Sequence, residues 1–295
     1  MIKLPPEKET TMVTVRPLTP DDFALGMELK TEAGWNQLPR DWRRAYELEP
    51  QGGYVGLCDG VPAATLTTCV FGRVAWIAMV LTRSSFRGRG LATALLKQSL
   101  ADLECRGVES VRLDATALGR PVYEKLGFTV DSGITRFYGK PTIPSTTPTS
   151  SDLRIRPFAA SDVDAAATID RAVTGNDRTK LLRWVHEDWP EACFAAEQNS
   201  DLIGFGMARR GSRATQIGPV VTHDSHAGCA LLAAAFERLG DSGIYLDVPH
   251  ENPLARDFVL AAGMVAERDF FRMTRGNRVD EKNERVWANY GPEKG

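Results

Sequence analysis

The chain repeats itself. Ile155-Arg156-Pro157-Phe158, followed by Ser161-Asp162, answers Val15-Arg16-Pro17-Leu18, followed by Asp21-Asp22. Further along, Tyr245-Leu246-Asp247 mirrors Arg112-Leu113-Asp114, and Phe271-Arg272-Met273 mirrors Arg136-Phe137-Tyr138. A repeat this long implies one domain-sized architecture used twice, not a solenoid of short units. At 295 residues the chain has room for two cores. Lys140 to Ser151 is rich in Pro, Ser and Thr and cannot pack a core, so it reads as a linker. The expected organisation is a first domain at 12–140, a linker at 141–151, a second domain at 152–276 and a charged tail at 277–295. Residues 1–11 read as a disordered lead-in. The tail's Trp287 and Tyr290 have no evident docking place in the sequence.

Within the first copy the periodicities alternate between strand and helix. Val13 to Pro17 is a short strand, Asp21 to about Ala33 a helix ended by Gly34, and Leu38 to Leu48 a second helix. Tyr54–Leu57 and Ala63–Phe71 are strands joined at Asp59-Gly60, a hairpin signal. Trp76 to Leu81 is apolar at every position, as in a central strand buried on both faces. A helix follows, then a strand at Val111–Asp114, a short helix at Arg120–Leu126, and closing strands at Gly127–Val130 and Thr135–Tyr138. The fold class expected is α/β (α+β), each domain a mixed, mostly antiparallel sheet flanked by helices.

Composition narrows the function classes. With 43% hydrophobic and 25% charged residues, the chain reads as an ordinary soluble globular protein. A net charge of −2 gives no general reason to expect nucleic-acid or membrane partners. The five cysteines are scattered without a C-x-x-C pair, and the N-terminus lacks the apolar core of a signal peptide. A cytoplasmic protein with reduced thiols is the expectation. His223 and His226 have no third ligand in view, so no metal is expected.

The chemistry concentrates in Arg87-Gly88-Arg89-Gly90-Leu91-Ala92, between the buried strand and the helix. Glycines let backbone N–H groups turn towards one point; a helix N-terminus adds partial positive charge, and the arginines add whole charges. This is a phosphate cradle. Downstream lies Tyr123-Glu124-Lys125-Leu126-Gly127-Phe128.

These two motifs, in this order and context, resemble the signatures of the GNAT superfamily of acyl-CoA N-acyltransferases, over roughly residues 12–140. The tandem arrangement is similar to a subgroup of two-domain GNAT proteins. The resemblance implies acetyl-CoA as acyl donor and a small-molecule amine as acceptor. It implies that Val80, Leu81, Thr82, Arg87, Gly88, Arg89, Gly90, Leu91 and Ala92 hold the cofactor. The Val80 amide would hold the thioester carbonyl and the Thr82 amide the pantetheine, whose amide-like arm can pair with a strand edge. Tyr123 takes the place of the general acid that protonates the departing thiolate. Thr116 stands where many members have asparagine and, with a shorter reach, would be a further cofactor contact, to the pantetheine. Asp114 and Glu32 are the candidate bases, and Glu32, Trp35 and Asn36 are the candidate acceptor contacts. A base is needed because a free alkyl amine has a pKa of about 10.4. Since no cysteine lies near the signature residues, direct attack in a ternary complex is expected.

The second copy lacks this machinery. From Thr222 to Ala230 there are eight positions, against twelve from Thr82 to Ala94; the arginines are gone, and one glycine, Gly228, remains. Val259 stands where the first copy has Tyr123, while Asn252 falls at the family's asparagine position. This half reads as a degenerate GNAT domain. Two other readings stand beside the enzyme. One is a non-catalytic acyl-CoA-binding sensor. The other is a nucleic-acid contact through the arginine loop, which conflicts with the overall charge.

Overall fold

The computed structural model describes residues 12–145, 152–240 and 242–295. The lead-in and most of the linker expected from the sequence lie outside these residues. The first half runs β1 (Val13–Pro17), α1 (Phe23–Glu32), α2 (Pro39–Leu48), β2 (Gly53–Cys58), β3 (Val61–Phe71), β4 (Val74–Thr82), α3 (Leu91–Cys105), β5 (Ser110–Ala115), α4 (Arg120–Glu124) and β6 (Thr129–Gly139). The second half runs β7 (Leu153–Pro157), α5 (Val163–Thr174), α6 (Thr179–Asp188), β8 (Cys193–Gln198), β9 (Asp201–Arg209), β10 (Thr215–Thr222), α7 (Ser225–Leu239), β11 (Ile244–Pro249), α8 (Pro253–Ala261) and β12 (Val265–Gly276). A last strand, β13 (Val286–Ala288), follows.

The repeated Arg-Pro motif has a physical purpose. At the end of β1, Arg16 donates two hydrogen bonds to Asp22, both 2.7 Å, and Asp22 also accepts from Thr19 N at 2.9 Å. At the end of β7, Arg156 meets Asp162 at 2.6 and 3.0 Å, and Asp162 accepts from Ala159 N at 2.8 Å. Each pair fixes the turn from the first strand into the first helix.

Among the described residues the strands form one 13-stranded sheet, in the order β1-β2-β3-β4-β5-β12-β6-β11-β10-β9-β8-β7, with β13 on β10. It is mostly antiparallel; β4 with β5 and β10 with β11 are parallel pairs. The sheet therefore contains an exchange. The last strand of each half pairs with the penultimate strand of the other, β12 on β5 and β6 on β11, and the two exchanged strands pair with each other at the centre. The sequence boundaries keep β6 with residues 12–140, whereas the sheet places it between β12 and β11. Two buried ion pairs tie the exchange, each between directly opposite residues. Arg272 of β12 donates to Asp114 of β5 at 2.9 and 3.0 Å. Arg136 of β6 donates to Asp247 of β11, twice at 2.7 Å.

The face bearing α3 buries Ala75, Ile77, Leu91, Leu95, Leu96 and Leu113; the matching face of the second half packs α7 and α8 over β10 and β11. On the opposite face the halves share a core. Phe71 and Trp76 of the first meet Leu181, Val185 and Phe205 of the second. Residues 277–295, expected as a charged tail, put Val286 and Tyr290 into this shared core and Trp287 and Ala288 into the core under α7 and α8. Glu281 accepts from Arg112 at 2.8 Å. Arg44 donates to the Tyr290 hydroxyl, and Glu293 takes Arg209 at 3.0 and 3.1 Å and the amide of Gln37. Trp287, Tyr290, Glu293 and Lys294 are all buried; Arg44 satisfies the Tyr290 hydroxyl, and Arg209 with Gln37 satisfies Glu293.

Candidate active site

β4 and β5 pair only through Val74–Trp76 and Ser110–Arg112. Beyond Trp76 they part, and among the described residues the edge of β4 that faces β5 has no strand neighbour. On its other edge β4 carries a bulge. Its register with β3 shifts between Thr65↔Leu81 and Thr67↔Ala78, and Met79 sits at φ 50°, in the left-handed region. A large non-glycine residue held there is strained, so the surroundings must hold it. They do: Thr65 Oγ1 donates to the Met79 carbonyl at 3.1 Å and Thr67 Oγ1 to the Ala78 carbonyl at 3.4 Å. Val80 follows the bulge and has no register partner on β3.

The chain leaves β4 into a loop that α1 braces. Glu32 accepts from Ser84 N at 2.8 Å, and Glu28 accepts from Arg83 at 2.9 Å. These contacts hold the Glu32 carboxyl below its ordinary value, chiefly through the Ser84 hydrogen bonds. Arg87 Nε reaches the Thr82 carbonyl at 3.2 Å, and Arg89 reaches the Ser85 carbonyl at 3.3 Å and the Cys58 sulfur at 3.6 Å while stacking over Phe86. A cysteine therefore does lie beside the loop, contrary to the sequence expectation, but fully buried. Gly88 and Gly90 have φ of 76° and 85°, and nothing lies within 4 Å of a Cβ built at either. Gly90 is the N-cap of α3 and has no side chain with which to cap it. The first-turn N–H groups of a helix have no intrahelical partners. Here no side chain of the described residues caps them, and two exposed arginines, Arg87 and Arg89, lie in the loop just before. That arrangement fits a phosphate-bearing cofactor.

Tyr123 lies on α4, edge-on to Phe128 with ring centroids 6.0 Å apart. Its hydroxyl has no hydrogen-bond partner among the described residues, and burial pushes its pKa up to about 12. The phenol is therefore a protonated donor at neutral pH. Thr116 accepts from Gly119 N at 3.2 Å, which engages its hydroxyl in starting the α4 turn. Asp114 is buried against Arg272. Burial raises its carboxyl, and Arg272 pulls it back. Trp35 is partly buried against the cluster of Leu18, Leu29, Trp42, Val55, Ala78, Met79 and Leu81. Asn36 is turned the other way: its Oδ1 accepts from Arg213 N and Ala214 N at 2.9 and 3.1 Å, and its Nδ2 donates to the Ala214 carbonyl at 2.9 Å.

The structure thus brings Val80, the 83–92 loop, Glu32 and Trp35 to one end of β4. It ties Asn36 to the β9–β10 hairpin and closes both Asp114 oxygens with Arg272. Sequence reasoning missed Arg272 and the 210–214 hairpin. The Arg272 position was visible only as one member of a repeated triplet.

Two family models match the chain: the acetyltransferase (GNAT) family over residues 22–128 and an acetyltransferase (GNAT) domain over residues 166–288. The chain carries two GNAT domains in tandem. Solved structures agree over the whole length. A Pyrococcus horikoshii protein assigned as an acetyltransferase superposes with a TM-score of 0.80 at 20% identity, covering 100% of this chain and 99% of that one. A GCN5-related N-acetyltransferase from Sphaerobacter thermophilus gives 0.64 at 16% identity over 92% of this chain and 98% of that one. Among curated proteins, the uncharacterized N-acetyltransferase YitH of Bacillus subtilis is 23% identical over 240 residues, 80% of this chain and 82% of its own. A holothin acyltransferase from a Pseudoalteromonas species is 21% identical over 278 residues, 93% of this chain and 92% of its own. GNAT proteins use acetyl-CoA and act on small-molecule or protein amines, so acyl transfer is the general activity of the family to which this chain belongs.

Proposed function

We propose that the first GNAT domain transfers an acetyl group from acetyl-CoA to the amine of a small-molecule acceptor, by direct attack in a ternary complex. The observation that carries the reading is the bulged end of β4. Left-handed Met79 takes Val80 out of register with β3, at the point where β4 has lost β5. Next to it stands an uncapped helix N-terminus flanked by arginines. A pantetheine arm would lie along the unpaired edge of β4 with its phosphates at the 87–92 loop. A preorganised backbone donor on the developing oxyanion is worth about 3–4 kcal/mol. The leaving thiolate, whose acid has a pKa of about 8.5 when free, takes a proton from Tyr123. The holothin acyltransferase is named for acyl transfer and leaves the acceptor here open.

The amine's proton goes to Glu32 through water in this reading, in preference to Asp114. Asp114 is shut in by Arg272, whereas Glu32 is exposed at the mouth of the loop. Because Glu32 already accepts from Ser84 N, a second reading has an observation behind it: both candidate carboxylates are engaged, as in a non-catalytic acyl-CoA sensor.

The Tyr123→Phe variant separates the readings. With a panel of amines, amino acids and amino sugars, thiol release from acetyl-CoA should fall about 100-fold in the variant, with acetyl-CoA affinity nearly unchanged. Equal turnover in wild type and variant removes Tyr123 from the mechanism. Binding of acetyl-CoA with no amine-stimulated thiol release across the panel favours the sensor.

A further inference from the structure

The second half has a slot of the same kind as the first, and the chain fills it. β10 and β11 pair only through Thr215–Ile217 and Ile244–Leu246, then part. In the first half no strand of the described residues lies in the matching gap past Trp76. In the second half β13 lies there. Val286 and Ala288 pair with Val221 and Val220 of β10, and Asn289 donates from its backbone N to the Asp247 carbonyl of β11 at 2.8 Å. Val220, Val221 and Thr222 match Val80, Leu81 and Thr82 by sequence.

Two further contacts complete the seat. Asn252 donates its Nδ2 to the Val286 carbonyl at 3.0 Å, while its Oδ1 caps α8 by accepting from Ala255 N at 3.0 Å. Trp287 is buried against the start of α7, so closely that a Cβ at Gly228 would lie 1.9 Å from its ring. The α7 N-terminus is also closed to an anion. The Asp224 carboxylate already accepts from Ala227 N at 2.8 Å, where the first half has bare Gly90.

We infer that the β10–β11 slot is a strand-binding groove whose ligand is residues 286–289 of the same chain, held by Asn252 and Gly228 and closed to acyl-CoA. The comparison with a pantetheine arm rests on the reading of the first domain given above; the strand assignment stands on the contacts alone. The backbone of residues 286–289 supplies the carbonyl and N–H groups that an amide-bearing arm would supply, and the Trp287 indole fills the space before the helix. One consequence is a single acyl-CoA site per chain.

Hydrogen–deuterium exchange on the full chain, with and without acetyl-CoA, tests this. In wild type, peptides spanning 218–228 and 286–289 should exchange at least 100-fold slower than unstructured amides and should not change when acetyl-CoA is added. Peptides spanning 80–92 should gain protection. Asn252→Asp keeps the acceptor for Ala255 N and loses the donor to Val286. It should speed exchange at 286–289 about tenfold and leave the protection gained at 80–92 intact. Exchange of 286–289 at the unprotected rate, or any response of 218–228 or 286–289 to acetyl-CoA, overturns the inference. Protection at 286–289 with no acetyl-CoA response at 80–92 upholds the groove and removes the reading of the first domain instead.

Discussion

At the residue scale, side chains from distant parts of the chain decide the chemistry at the centre of the sheet. Glu281 is the clearest case. It is buried between Arg112, at 2.5 and 2.8 Å, and Arg272, at 3.5 Å. Burial alone would raise its carboxyl; the two guanidinium groups outweigh that and hold it below its ordinary value of 4.5. An acid depressed in the folded state stabilises the fold fully above its unfolded pKa. That contribution is lost as pH falls through the folded value. Below about pH 4.5 the unfolding free energy of wild type should therefore drop more steeply than that of Glu281→Gln. At neutral pH the variant should be less stable by about 3 kcal/mol, since it leaves buried arginines short of a counter-charge. Denaturant titrations between pH 3 and 7 check both; parallel pH profiles contradict the assignment. The loop at Arg87–Ala92 was legible in the sequence because its parts are consecutive: strand, glycines, helix. The partner of Asp114 was not, because Arg272 lies 158 residues away and nothing local marks it.

At the scale of elements, strand and helix periods were readable where one face is apolar, as in β4 and α3. They failed where burial comes from the other half. β6 reads as two short pieces because Asp131, Ser132 and Gly133 interrupt its apolar pattern. In the fold it is continuous, since β12 covers that stretch and Asp131 accepts from Thr274. β13 is three residues flanked by charge, and only the gap between β10 and β11 makes it a strand. The exchange itself carries a test. Arg272→Met would leave Asp114 charged and buried without its partner, at a cost of about 3–5 kcal/mol. The double variant Arg272→Met/Asp114→Leu should recover the part of that loss due to Asp114, because the leucine needs no counter-charge, while Glu281 keeps Arg112 alone. Equal destabilisation of the single and double variants in chemical denaturation would mean that the pair does not couple β5 to β12.

At the scale of the whole molecule, the repeat was visible and its consequence was not. Two copies of one architecture suggest two independent units, but local patterns say which face of a strand is buried and not which strand it pairs with. The sheet answers by exchanging β6 and β12, and residues 277–295 then add β13 to β10 and contribute to the cores on both faces. The result is asymmetric. Among the described residues one slot is open at Val80 beside a bare helix N-terminus; the other holds Val286–Ala288 beside a helix capped by Asp224. The central claim is thus one acyl-CoA site per chain, at β4 and the 87–92 loop. Calorimetric titration of acetyl-CoA into wild type and Gly90→Trp, each checked for native unfolding, tests it most directly. One equivalent bound by wild type and none by the variant is the expected result; two equivalents, or unchanged binding by Gly90→Trp, would contradict it.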